Sequence, residues 1–483
     1  MMHHNKWNGL WRECWLQKND RKLLICEKDK SLKESNVKGR NNKSNRKKLG
    51  NLKREKFGVI LPITLLSYFL ILMDNSIIFT SSMKIGESLG LSARALSWVS
   101  SAYTLTFGGF LLLSGRLSDL FGRKKIFLVG LFIFWISSLL IGLSQTAGTL
   151  IMMRGVQGVG SSIIAPTSLA LLMDAYQNNM RQRAISYYGA TAGIGSSIGL
   201  LVGGGLTSLI SWRAGFLINV PFTLLLVVLT LKYVRPSERR RERIDYLGSL
   251  LSILGLIGII YGLTEGKSNF LFIGIMFLGL FILWERRTSS PMLPLELFKN
   301  KIRSGAYATR LLFMMAMLPF WFFLPQMMQS QYGFSALQSG FAFLPLTIVN
   351  FIIAMQLPRM TARFGNNRIL FVGEIILAIG LILLAVSNPF NGYWQTIFVP
   401  MMILGLGQGM ILAPVTSAGI HEAPDELAGI ASGLTNTMHQ IGGPIGLSLI
   451  VSTTTNFQTE IWWMVAFTII AIAVVAIYLH EEK

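Results

Sequence analysis

An aspartate, an arginine and a glutamine stand inside long apolar runs of this chain, where no water would hydrate them. Asp74 lies in Leu72-Met-Asp74-Asn-Ser76-Ile77, and Arg154 opens Arg154-Gly-Val-Gln157-Gly158-Val-Gly160-Ser161. Positions 154, 157, 158 and 161 fall on one face of a helix, so the Arg, Gln, Gly and Ser point together. A charge facing lipid is costly, which turns such an Arg toward the protein interior or a wet cavity. Opposite unit charges about 4 Å apart attract by roughly 4 kcal/mol at an effective dielectric of ~20. Making or breaking an Asp74–Arg154 pair as the protein changes conformation would then decide whether the carboxyl holds a proton. Asp74, Arg154 and Gln157 are accordingly the expected proton-coupling residues. The plainer alternatives are a structural ion pair or helix-end acid for Asp74, and snorkelling to the outer interface for Arg154.

Other polar groups at membrane depth are Arg310, Glu374, His439 and Gln440, candidates for lining a cavity. Phe313-Met-Met-Ala-Met317 and Phe320-Trp-Phe-Phe323 offer either an adaptable apolar binding wall or lipid-facing packing. Gly262-Leu-Thr-Glu-Gly266-Lys267-Ser268 is one residue short of a phosphate-binding loop and follows no strand, so it is rejected. The five histidines form no metal-ligand pattern, and Cys14 and Cys26 match no metal or redox spacing. No cofactor, metal site or catalytic constellation is expected, and the chain does not read as an enzyme.

The elements that must position these groups are membrane helices. Hydrophobic residues make up 52% of the chain and charged residues only 14%, against roughly 25% charged in soluble domains. Fourteen apolar runs of about twenty residues suit a ~30 Å hydrocarbon core. They fall at 57–80, 96–114, 126–144, 149–172, 184–209, 213–233, 246–264, 269–285, 303–326, 336–357, 369–387, 393–413, 427–452 and 460–479. Loops leaving even-numbered spans carry 20 Lys/Arg, and the opposite loops carry 4: Lys84, Arg94, Arg213 and Lys267. The positive-inside rule then places both termini in the cytoplasm. Residues 1–56, with 17 basic against 6 acidic side chains, read as a disordered cytoplasmic tail. The net charge of +21 is a topology signal rather than a nucleic-acid surface. No cleavable signal sequence is expected, because the first long apolar run begins near Phe57.

The chain also repeats itself. Arg116-Leu-Ser-Asp-Leu-Phe-Gly-Arg-Lys-Lys-Ile-Phe-Leu-Val-Gly130 echoes Arg359-Met-Thr-Ala-Arg-Phe-Gly-Asn-Asn-Arg-Ile-Leu-Phe-Val-Gly373 at an offset of 243, and Ile194-Gly-Ser-Ser-Ile-Gly199 echoes Ile441-Gly-Gly-Pro-Ile-Gly446 at 247. Spans 3 and 5 thus pair with spans 11 and 13. That implies two six-helix bundles, 57–235 and 301–483, separated by two inserted helices and a linker at 236–300.

The loop Gly115-Arg-Leu-Ser-Asp119-Leu-Phe-Gly122-Arg123-Lys124-Lys125 resembles the signature loop of the major facilitator superfamily. Span 4 is similar to that family's motif, in which the Arg is linked to proton transfer. The Gly-rich span 5, with Gly193, Gly199 and Gly203, followed by Trp212-Arg213 and Phe216-Leu-Ile-Asn-Val-Pro221, resembles the antiporter motif of the drug:proton branch. Span 1 resembles the corresponding segment of the fourteen-span antiporters, although Phe79, Ser81, Ser82 and Met83 replace its later residues. Leu200 stands where the antiporter motif usually has proline.

The resemblance implies an all-α major facilitator fold. It also implies gating roles for Gly115, Asp119, Gly122 and Arg123, with Asp119 and Arg123 latching the two halves, and for Gly193, Gly199 and Gly203, whose stripe of small residues lets helices pack closely. The function implied is export of amphipathic toxic molecules by proton antiport, from a monomer in the plasma membrane. The alternatives are a same-fold carrier of a metabolite or lipid, and a non-transporting membrane sensor.

Overall fold

In a medium without water each backbone N–H and C=O must be satisfied locally, which forces long apolar runs into helices. The computed structural model describes residues 57–236, 245–424 and 426–479, and builds them from helices joined by short loops. The N-terminal set is α1 (Ile60–Leu89), α2 (Ala93–Phe121), α3 (Arg123–Gly142), α4 (Ala147–Ala175), α5 (Asn178–Leu209) and α6 (Trp212–Tyr233). Next come α7 (Tyr246–Glu265) and α8 (Ser268–Glu285). The C-terminal set is α9 (Lys301–Tyr332), α10 (Ala336–Phe364), α11 (Asn366–Val386), α12 (Trp394–Gly419), α13 (Ala428–Thr453) and α14 (Phe457–Tyr478). Among the described residues thirteen of these are long and apolar enough to cross a membrane. The fourteenth, α13, is 26 residues long, but Ser, Thr, Asn, His and Gln dilute its apolar character. The expected tail 1–56, Cys14, Cys26 and the loop arginines Arg239, Arg240, Arg241 and Arg243 lie outside the described residues.

Several helices overrun the apolar runs from which they were predicted. Span 1 was expected to end at residue 80, but α1 continues until Gly90 adopts a left-handed φ of 62°. A helix keeps going past the hydrocarbon until a residue stops it. Arg181 and Arg183 therefore lie in the first turns of α5, and Arg359 and Arg363 in the last turns of α10, rather than in loops. Ser92, Thr146, Ser211, Ser335 and Asn456 begin α2, α4, α6, α10 and α14, each accepting a backbone N–H on its side-chain oxygen.

The internal repeat is visible in the packing. In the first half α1 packs on α5, and α2 and α3 both pack on α4. Eight helices later α9 packs on α13, and α10 and α11 both pack on α12. Gly122 and Gly365, 243 positions apart, make the same turn, with φ of 97° and 85°. Gly122→Ala should cost about 1–3 kcal/mol, because an L side chain there is strained. The check is the thermal midpoint of the detergent-purified protein, and an unchanged midpoint contradicts the prediction.

Gly199 lets α5 meet α1 so closely that a Cβ would come 2.7 Å from the Met73 carbonyl oxygen. Its echo Gly446 does the same for α13 against Met315 of α9. The halves touch at the end of the bundle that carries the α1–α2, α5–α6 and α9–α10 loops. There Gln329 donates to the Thr80 carbonyl at 3.2 Å, and the Leu337 N–H donates to Ser208 Oγ at 3.1 Å. They also touch along α2 and α13, where Gly108 faces Gln440. The inserted helices α7 and α8 pack on each other, and α7 docks on α2 and α13. A 2.7 Å hydrogen bond between Thr264 and Ser448 secures that docking.

Candidate functional site

The N-terminal bundle closes around one ion pair. Arg154 of α4 donates from Nη1 to Asp74 Oδ2 of α1 at 2.7 Å, and both side chains are 0% exposed. The same Nη1 reaches Gln157 Oε1 at 2.6 Å, and Arg154 Nε reaches the Val99 carbonyl at 3.0 Å. Gln157 Nε2 donates to Asp74 Oδ1 at 3.0 Å and to Ser138 Oγ at 2.9 Å. Asn219 Nδ2 of α6 donates to Asp74 Oδ1 at 2.6 Å. The guanidinium lies over the Tyr103 ring, 4.2 Å from its centroid, and 5.5 Å from the Phe216 ring.

Helical geometry explains the convergence. Arg154 and Gln157 are one turn apart on α4, so one face delivers the cation and its amide neighbour together. The Gly158 side of α4 abuts the Tyr103 backbone, bringing α2 close enough for Val99 to accept from Arg154. Asp74 accepts three hydrogen bonds on two oxygens, an arrangement that stabilises a carboxylate anion out of water. Two polar atoms of the cluster, Arg154 Nη2 and Asn219 Oδ1, are buried without a partner. They are a donor and an acceptor left over for a rearranged network.

Asn219 was not singled out from the sequence, where it reads only as part of Phe216-Leu-Ile-Asn-Val-Pro221. The signal was present nonetheless, since an amide mid-span in an apolar helix needs an interior partner. Among the described residues the second half carries no such buried charge pair. Met317 stands 243 positions after Asp74, and Gln408 Nε2 lies 3.0 Å from its sulfur.

The sequence from residues 64–447 matches the family model described as Major Facilitator Superfamily. The chain belongs to the major facilitator superfamily. Among its relatives, the puromycin resistance protein pur8 of Streptomyces alboniger is 33% identical over 416 residues, covering 82% of this chain and 81% of the other. The uncharacterized MFS-type transporter EfpA of Mycobacterium tuberculosis is 33% identical over 396 residues, 80% and 74% of the two chains. Multidrug resistance protein 3 of Bacillus subtilis is 28% identical over 408 residues, 82% and 79% of the two chains. Solved structures share the fold at low identity. A D-xylose-proton symporter superposes with a TM-score of 0.65 at 14% identity, over 87% of this chain and 98% of that one. An auto-inhibited peptide transporter reaches 0.69, also at 14% identity, over 88% and 98%.

The superfamily's signature loop is arranged here as a clamp within one half. Arg123 Nε and Nη2 donate to Asp119 Oδ1 at 3.1 and 3.0 Å, and its Nη1 reaches the Ala170 carbonyl and the Asp174 carboxylate. These contacts tie α2 and α3 to the end of α4. Asp174 at the end of α4 thus joins Asp119 in holding Arg123. Arg116 of the same loop reaches the linker, where its Nη2 donates to the Pro291 carbonyl at 2.6 Å. Gly122 supplies the turn, while a Cβ on Gly115 would meet nothing within 4 Å.

In α5, Gly199 and Gly203 lie against α1, but a Cβ on Gly193 would meet nothing within 4 Å. Close helix packing therefore does not account for Gly193, whose stretch of α5 is exposed.

The four cavity candidates separate. Arg310 of α9 and His439 of α13 are partly exposed and close enough to interact electrostatically, as are Arg310 and Tyr68 of α1. Arg310 Nη1 donates to the Leu412 carbonyl at 3.3 Å, while Arg310 Nε and His439 Nδ1 have no partner. Tyr68 stacks on Tyr188 of α5 at 4.2 Å. Gln440 sits against Gly108 at the α2–α13 seam. Glu374 does not line an opening: it is 0% exposed in α11, with both carboxyl oxygens unpartnered. In the aromatic and Met stretch of α9, Phe313, Met317, Phe320, Phe322 and Phe323 belong to the core, while Met314, Met315 and Trp321 are half-buried against it.

Proposed function

We propose that this superfamily member exports amphipathic, drug-like molecules from the cell in exchange for protons. The observation that carries the reading is the fully buried Asp74–Arg154 pair, a charged couple in the half that packs against its repeat across a seam. The relatives named for puromycin resistance and multidrug resistance support the cargo class. In this reading the bundles 57–235 and 301–483 rock against each other, with the inserted helices and linker at 236–300 following. The tight Gly199 and Gly203 contacts move α5 and α1 as one body, and the Gly115–Arg123 loop keeps α2, α3 and α4 together. Both termini lie in the cytoplasm, in the plasma membrane, and a monomer suffices.

The pair would act as a proton gate. While Arg154 holds Asp74, the carboxylate is stable without a proton. If rocking withdraws the guanidinium, the isolated buried charge becomes untenable and the acid takes up a proton. We place cargo at the junction of the halves, where Arg310, His439 and Tyr68 gather and where Arg310 Nε and His439 Nδ1 are open to a hydrogen-bonding partner.

Arg310→Gln should raise the cargo KM about tenfold, roughly 1.4 kcal/mol, for a cargo bearing a hydrogen-bond acceptor. It should leave the response to a pH gradient unchanged. Dye efflux from everted vesicles at varied cargo concentration checks both. An unaltered KM removes Arg310 from the cargo site, and a lost pH response reassigns it to coupling.

A further inference from the structure

Among the described residues an apolar cavity of about 540 Å³ lies away from the buried ion pair, and its lining reaches Leu311 and Met438, the chain neighbours of Arg310 and His439. One wall is α2 at Gly108 and Gly109, and another is Ile441 of α13. The inserted helices supply Leu256 of α7 and Phe281 of α8, and Met292 of the linker closes one end. The sides that reach the surface are Ile282, 43% exposed, Phe298, 38% exposed, and Arg286, the residue that caps α8. The mouth therefore lies at the end of the bundle that carries the basic loops, with Arg286 and its neighbour Arg287 beside it.

We infer that this cavity takes an acyl chain of an anionic phospholipid from the adjoining leaflet, with the phosphate at Arg286. The volume falls in the roughly 300–1,000 Å³ range of small-molecule sites. The lining is apolar apart from Ser252 of α7, Thr437 of α13 and Arg286 at the mouth, and a guanidinium grips phosphate through paired N–H donors. The leaflet on the basic-loop side is the one in which anionic lipids concentrate. An occupant would press on the α2–α13 seam, where Gly108 and Gln440 are in contact, so lipid composition would bias the arrangement of the halves. The binding itself does not depend on what the protein transports.

The test uses the purified full-length protein in nanodiscs doped with phosphatidylglycerol carrying a diazirine in its acyl chain, or with the phosphatidylcholine equivalent. After irradiation, peptide mapping should find adducts at Leu256, Phe281 and Met292, with yields about fivefold higher for phosphatidylglycerol. Arg286→Gln should erase that headgroup preference, and Leu256→Trp, which fills the space, should erase the cavity adducts. On the wild type, excess unlabelled phosphatidylglycerol should suppress them and phosphatidylcholine should not, a result independent of how either variant folds. Adducts confined to outward positions such as Phe272 and Ile275 overturn the inference, as does equal labelling by both headgroups. Suppression by a cationic dye cargo instead of by phosphatidylglycerol would assign the cavity to the cargo path and equally overturn it.

Discussion

Asp74→Asn is expected to reduce proton-driven efflux at least about 100-fold, equivalent to ~2.7 kcal/mol at roughly 1.4 kcal/mol per decade. Asparagine fills the same volume and can still accept from Gln157 or Asn219, but it has no proton to load or release. Energy-independent cargo binding should survive, because Asp74 is fully buried against Arg154 and Gln157 of α4 and Asn219 of α6 and touches no open surface. Efflux from everted vesicles under an imposed pH gradient, beside equilibrium dye binding, separates the two. A variant that pumps at the wild-type rate with normal pH dependence removes Asp74 from coupling.

The second large effect is on stability. Arg154→Gln leaves Asp74 0% exposed without its cation, and breaking one side of a buried pair costs about 3–5 kcal/mol. The loss is expected as a clearly lowered thermal midpoint in detergent. Adding Asp74→Asn removes a carboxyl that must otherwise take up a proton to stay buried, so the double variant should be more stable than Arg154→Gln alone, with a coupling energy on the order of 1–3 kcal/mol. Efflux should not return, since the proton carrier is gone. Additive losses in the double-mutant cycle would mean that the two groups do not depend on each other.

Much of the frame was legible because membrane burial leaves few choices. The apolar runs had to be helices, and the basic loops fixed their alternation. The echoes at offsets 243 and 247 correspond to shared geometry, with Gly122 and Gly365 making one turn and Gly199 and Gly446 one packing contact. The juxtaposition of Asp74 with Arg154 and Gln157 could be anticipated from helical spacing and the cost of an unpaired charge in lipid. Asn219 could not be placed without knowing which face of α6 meets α1.

The contacts of Asp119 and Arg123 depended on where the end of α4 would put Asp174, a distance that no local pattern encodes. Glu374 looked like a cavity residue because acids in spans usually are, yet α11 turns it into the second half's interior. The cavity beside α7 and α8 left no trace in the sequence either. Helices that are apolar on every side announce burial or lipid contact, not the shape of the space between them.

The most direct test of a proton gate at Asp74 is proton release on cargo binding, followed with a pH-indicator dye in weakly buffered detergent solution. In such a gate Asp74 holds a proton where Arg154 is withdrawn. A cargo dye that favours the paired state should therefore make the wild type release protons, and Asp74→Asn should bind the same dye with no release. Equal release from both proteins, at matched occupancy, would contradict the assignment of the exchanged proton to this carboxyl.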